Sequence, residues 1–125
     1  MFSIDQANGP YLRLTASGRL SSSDYDMLEP ALADALAARG GRAPLLLDLT
    51  GWRGWTAGGI LRDMLFDLKH SKSFARTAVV GDRSWHKWLT WAAAPLFSGP
   101  MRYFEAGREQ AAVDWLRMFT NVRAD

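Results

Sequence analysis

The chain has 125 residues, 48% hydrophobic and 22% charged, which suits one folded domain over residues 1–125 and excludes intrinsic disorder. The net charge of +2 is the balance of 15 Lys and Arg against 13 Asp and Glu, with no block of like charges, so the sequence gives no support for nucleic-acid binding. The absence of cysteine excludes disulfides, thiolate metal sites and a cysteine nucleophile.

In chain order, Phe2-Ser3-Ile4-Asp5 alternates apolar and polar residues, Ala7-Asn8-Gly9-Pro10 carries turn chemistry, and Tyr11 to Thr15 alternates again. This predicts a β-hairpin, with Gly18-Arg19-Leu20 as a continuation of its second strand. Ser21 to Asp24 then offers hydroxyl and carboxylate groups for a helix N-cap. Tyr25, Leu28, Leu32, Ala35 and Leu36 recur at three- and four-residue steps, which predicts one apolar helical face ending near Arg39-Gly40-Gly41. Pro30 inside that pattern leaves two readings open, a kinked helix or a separate first turn.

Ala43 to Leu49 is a continuous apolar run of strand length, as a strand covered on both faces requires. Thr50 to Trp55 reads as a loop rich in glycine and tryptophan. Thr56 follows as the N-cap of a second helix with Ile60, Leu61, Met64, Leu65 and Leu68 as its apolar stripe, and with Lys69 and His70 favourably placed at its C-terminal end. Phe74 to Gly81 reads as a buried strand turning sharply into a third helix from Arg83 to Ala94, which Pro95 ends. Pro100 to Phe104 reads as a short strand suited to a sheet edge. Glu109 to Phe119 reads as a last helix with Ala112, Trp115, Leu116 and Phe119 on one face.

The order β-β-α-β-α-β-α-β-α predicts an α/β fold: a mostly parallel sheet of about five strands, an antiparallel N-terminal hairpin, and helices on both faces. The apolar run from Trp88 to Phe97 is about half the length needed to cross a bilayer and contains Pro95, so no transmembrane segment is expected. Met1 to Asp5 carries no cationic and apolar leader, and a cytoplasmic location is expected.

Several stretches together resemble one family. Gly54-Trp55-Thr56, Asp67 through Lys69-His70, Phe74-Ala75-Arg76, Ala78-Val79-Val80-Gly81-Asp82 with Trp85 and Trp88, Pro95 with Phe97, Arg102-Tyr103-Phe104, and Ala112 with Trp115-Leu116 resemble the SpoIIAA-like proteins, small bacterial proteins that are largely uncharacterised. The resemblance covers nearly the whole chain. It implies a fold related to the STAS domains of anti-sigma factor antagonists and sulphate transporters, one also compared with the CRAL-TRIO lipid-binding domain. In the antagonists a strand ending Asp-Leu-Ser-Gly leads to a helix start whose serine is phosphorylated. Asp48-Leu49-Thr50-Gly51 matches the first part, but Ala57 or Gly58 stands where the phospho-acceptor belongs, and the nearby hydroxyl is that of Thr56. Phosphorylation of Thr56 stays open as a minor alternative.

Thr56-Ala57-Gly58-Gly59 at a helix start offers backbone N–H groups to an anion, or simply a threonine cap with tight packing through glycine. Asp82 and His86, four residues apart, would make an acid–base pair, or else Asp82 caps the third helix and His86 lies on its polar face. Trp85, Trp88, Leu89 and Ala92 share a helical face with Trp91 at its flank, and Trp52 and Trp55 come from the preceding βα connection; this group reads as core, pocket wall or oligomer contact. Arg53, Arg62, Lys69, Lys72, Arg76, Arg83 and Lys87 read as a solvated basic face.

Two histidines so far apart predict no metal site, and no cofactor is expected. The sequence therefore predicts a non-enzymatic, STAS-like regulatory or binding module, homodimeric, that recognises a protein partner or a small anionic or lipid-like ligand. Its candidate ligand-binding residues are Trp52, Trp55, Thr56, Gly58, Gly59, Asp82, Trp85, His86 and Trp88, with no catalytic residue assigned. The alternative is a small hydrolase-type enzyme using Asp82 and His86 in a Trp-lined cleft.

Overall fold

In the computed structural model, which describes residues 1–5, 11–70 and 72–124, five strands form one sheet in the order β1-β2-β3-β4-β5. They are β1 (Phe2–Asp5), β2 (Leu12–Leu20), β3 (Ala43–Trp55), β4 (Phe74–Gly81) and β5 (Met101–Glu105). β1 pairs antiparallel with β2 and every later pairing is parallel, so the expected hairpin-plus-parallel sheet is what forms. The hairpin's turn, Ala7-Asn8-Gly9-Pro10, lies outside the described residues.

Because consecutive strands are neighbours, each parallel crossover steps the same way across the sheet. Right-handed crossovers then place α1 (Ser22–Ala37), α2 (Ala57–His70) and α3 (Ser84–Ala93) on one face. α4 (Glu109–Ala124) follows the edge strand β5 and covers the opposite face, against β3, β4 and β5. A strand order that never reverses has no topological switch point, so the crevice that open α/β sheets commonly use is not built here.

Strand alternation sorts the core into two parts. Leu14, Ala16, Leu45, Leu49, Phe74 and Val79 face the three-helix side, and Leu46, Ala78, Val80 and Phe104 face Ala112, Val113 and Leu116 of α4. α1 starts with a capping box: the Ser21 hydroxyl accepts from the Asp24 amide, and the Asp24 carboxylate accepts from the Ser21 amide at 2.8 Å. Its buried residues are Tyr25, Leu28, Leu32, Ala35 and Leu36, as the periodicity predicted. Pro30 does not split off a first turn. It sits inside one helix on the exposed side, where water can serve the carbonyl left unbonded.

Other expectations are corrected. Thr50 to Trp55 is not a loop but the second half of β3, paired with β2 through Leu20↔Trp55 across two register shifts. Of the apolar stripe expected for α2, Ile60 and Leu65 are exposed, while Gly59 and Phe66 are buried; the side chains of Leu61, Met64 and Leu68 lie outside the described residues. The polar flank of α2 lies beside α1, where Arg62 meets Asp26 and Glu29 at 3.2 and 3.3 Å and Lys69 meets Glu29 at 3.2 Å. The basic residues are accordingly not one solvated face. Arg76 lies over the Trp115 ring at 4.5 Å, on the α4 side. Pro95 falls within a 3-10 turn, Ala94–Leu96, that continues directly from α3.

Candidate functional site

Two glycines set the local geometry. A Cβ on Gly59 would lie 2.0 Å from the Leu20 carbonyl oxygen, so α2 begins hard against the end of β2. Thr56 caps the same helix, its Oγ1 accepting from the Gly59 amide at 3.1 Å. A Cβ on Gly81 would lie 2.8 Å from His86 Cβ and 2.9 Å from the Tyr103 ring, which is why the strand run Val79-Val80 ends in glycine before the turn into α3.

That close approach buries His86 completely, contrary to its expected place on a polar face. The Asp82 amide donates to Nδ1 at 3.4 Å, which leaves Nε2 protonated and donating to the Trp52 carbonyl at 3.2 Å. Burial lowers its pKa below the ordinary value, against smaller opposing effects from the Trp52 carbonyl and Asp82. His86 is thus a neutral cross-link between α3 and the extension of β3. With both ring nitrogens bonded to backbone groups, it does not converge with Asp82 on an accessible cleft, the geometry that general acid–base work requires. Asp82 does not cap α3 either: Arg83 holds the cap position without a side-chain bond, and the Asp82 carboxylate lies exposed, 3.5 Å from His86 Nδ1. His70 behaves similarly. Burial lowers its pKa, against the opposing effect of Glu29, so the neutral form is favoured at the end of α2.

Three of the expected tryptophans come together. Trp52 packs its ring against Trp55 and Trp85, each at 4.7 Å between centroids, and stacks on His86 at 5.5 Å. Trp88 does not join them. It is 68% exposed, because the inward face of α3 runs through Trp85, His86, Leu89 and Thr90, and Trp88 and Trp91 fall on the other side. Gly58 is exposed at the start of α2, and Trp85 also borders a shallow recess with Arg53 and Arg83.

Beneath Trp52 and Trp55 lies a cavity of about 310 Å³ between the sheet and the three helices. Its wall is apolar nearly throughout, with Leu14, Leu45, Leu47 and Val79 from the strands, Leu28 and Phe66 from α1 and α2, and Leu89 from α3. It reaches the surface where Ala92 and Leu96, both exposed, join the lining. Among the described residues α1 packs closely on α2, and no comparable packing joins α2 to α3. At the end of β3 it carries a short polar relay: Trp55 Nε1 donates to the Tyr25 hydroxyl at 2.8 Å, and that hydroxyl donates to Asp63 Oδ1 at 2.5 Å.

Tyr25 and Asp63 were not among the residues the sequence singled out for a site. Tyr25 scans as core, and Asp63 as one polar residue among several on an amphipathic helix. On the α4 side, Asp48 of the Asp-Leu-Thr-Gly stretch is a structural group: Oδ1 accepts from the Thr50 amide and hydroxyl at 3.0 and 2.7 Å, and Oδ2 meets Arg13 at 2.8 Å. Arg13 also meets Glu109 at 2.7 Å, tying β2 and β3 to the start of α4. Among the described residues no group of His, Asp and Glu is placed to hold a metal ion.

Residues 11–117 match the SpoIIAA-like family model. The chain belongs to the SpoIIAA-like family. Its fold is similar to that of an uncharacterised DUF3478-family protein with a SpoIIAA-like fold from Shewanella loihica PV-4, 32% identical, with a TM-score of 0.76 over 93% of this chain and 92% of that one. A comparison with curated proteins gave no match. Among the described residues no helix of this SpoIIAA-like domain is long and apolar enough to cross a membrane.

Proposed function

We propose that this SpoIIAA-like domain is a non-enzymatic, cytoplasmic binding module that holds a small lipid-like molecule between the sheet and α1, α2 and α3. The observation that carries the reading is the apolar cavity of about 310 Å³, at the lower end of the roughly 300–1,000 Å³ spanned by small-molecule pockets. A bound apolar molecule would supply contacts that the chain's own side chains do not make there. The lining also favours the lipid-like ligand over the anionic one, since no Lys, Arg or His is among its described residues.

The test is extraction of the protein purified from its host, followed by mass spectrometry of the organic phase, with thermal melts in medium-chain probes alongside. The expected result is a co-purifying apolar compound, with a rise in Tm that grows with probe concentration. A clean extract together with unchanged melts overturns the reading. The alternative of a small hydrolase using Asp82 and His86 gains no support from the bonding of His86.

Homodimerisation is the second part of the proposal, and it rests on Trp88, Trp91 and Leu96, which are 68%, 60% and 53% exposed on the outer side of α3 and its following turn. Large exposed apolar side chains grouped in this way mark contact surfaces. Light scattering coupled to gel filtration tests it, and a monomer at high concentration removes it.

A further inference from the structure

We propose that the outer face of α3 docks on an anionic membrane surface, from which the cavity takes its lipid-like molecule; the loading step rests on the cavity as a ligand site, whereas the docking does not. Trp88, Trp91 and Leu96 are the large exposed side chains of α3 and the turn that follows it. Tryptophan is favoured at the level of lipid headgroups, where the ring meets apolar chains and the indole N–H stays in contact with water. A helix of ten residues with such side chains on one side lies in that layer and does not cross it.

Charge and position both favour a bilayer on this face. Residues 83–100 carry Arg83 and Lys87 and no Asp or Glu. Lys87 lies over the Trp91 ring at 5.1 Å, so a cation accompanies the aromatic group, and Arg83 borders its recess with Arg53 at the head of the helix. The acid next in sequence, Asp82, precedes the helix and lies 3.5 Å from His86 Nδ1. Exposed cations interleaved with tryptophan complement a layer of negative headgroups. The exposed Ala92 and Leu96 are also where the cavity reaches the surface, so the apolar patch and the cavity mouth share Leu96. With α3 lying among the headgroups, an apolar molecule would pass from bilayer to cavity without exposing its tail to water. A second copy seated on Trp88 and Trp91 would have to leave first, so dimer and membrane compete for the same side chains.

The experiment sediments the protein with vesicles of phosphatidylcholine alone and of phosphatidylcholine mixed with phosphatidylglycerol, at low and high salt. Binding is expected to be at least about tenfold tighter to the mixed vesicles and to weaken as salt is added. Lys87→Glu is expected to lower that binding at least about tenfold, and Trp88→Glu to abolish it. Both replace exposed side chains, so their melts should match that of the unaltered protein. No sedimentation with either vesicle, or equal sedimentation of Trp88→Glu and the unaltered protein, overturns the docking. A dimer that persists with phosphatidylglycerol vesicles present assigns the surface to a second copy and overturns it as well. Thermal melts with 1-decanol keep the two readings apart. Stabilisation by decanol without vesicle binding strikes the docking alone, and vesicle binding without stabilisation by decanol supports the docking and strikes the cavity as a ligand site.

Discussion

The two faces of the sheet solve the same burial problem in opposite ways. On the α4 face, Leu46, Ala78, Val80 and Phe104 meet Ala112, Val113 and Leu116, and one helix suffices because small residues on both sides bring it close. On the other face three helices share a wider area, two of them joined by ion pairs and the third seated on Gly81 through His86. The face with more helices is the hollow one. Packing density here follows how the helices are anchored to one another, not how many there are.

That contrast can be broken most directly by truncation. Leu116→Ala on the filled face is expected to cost about 3 kcal/mol, and Leu47→Ala, whose side chain borders existing space, about 1 kcal/mol, both measured by urea unfolding. Equal costs would remove the distinction. Gly59→Ala is expected to cost about 2 kcal/mol, because its Cβ meets the Leu20 carbonyl, and a shifted α2 should also weaken probe binding.

Enlargement at neighbouring positions sharpens the comparison. Val79 lines the cavity and Val80 faces α4. Val79→Phe is expected to stabilise by about 1 kcal/mol while reducing binding of decanol, and Val80→Phe to destabilise by about 2 kcal/mol. The same sign for both, in parallel melts, contradicts the picture.

A smaller effect concerns acid. His86 and His70 both have folded-state pKa values below their ordinary 6.5, so the unfolded chain takes up protons first. Stability is then complete above about pH 6.5 and falls as the pH drops below it, until the lower folded-state values are passed. Asp24 and Glu29, whose pKa values are lowered, lose their contribution only below their ordinary values of 3.8 and 4.5, a separate window. Unfolding midpoints from about pH 8 to 5 check this, and His70→Gln should make the decline shallower. The smallest expected change is Trp88→Glu, within about 0.5 kcal/mol in stability, while any dimer built on that surface should dissociate in gel filtration.

The predictions for α1 and β4 hold because each turns on a local period: the stripe from Tyr25 to Leu36 and the run from Phe74 to Gly81 carry their faces in their own residues. The reading of α2 failed at Ile60 and Leu65, because the side of the helix that meets the sheet includes Gly59, packed against the Leu20 carbonyl, a contact its own pattern does not show. His86 failed for a related reason. A histidine four residues after Asp82 looks like a polar-face residue until Gly81 allows the backbone to close over it.

Of the candidate ligand residues, Trp52 and Trp55 were legible because aromatic residues beside a strand end announce buried area. Tyr25 and Asp63 were not, since a hydroxyl and a carboxylate from two helices become neighbours only after both have docked on the sheet. From its own residues, the sequence determined the succession of strands and helices, and with it a mostly parallel sheet, because period is local; the order of the strands in the sheet, and with it the placing of three crossovers on one face, was decided by the tertiary pairing. Where the helices stand relative to one another was decided by tertiary contacts between residues far apart in the chain. The cavity between the sheet and the three helices is a property of that spacing.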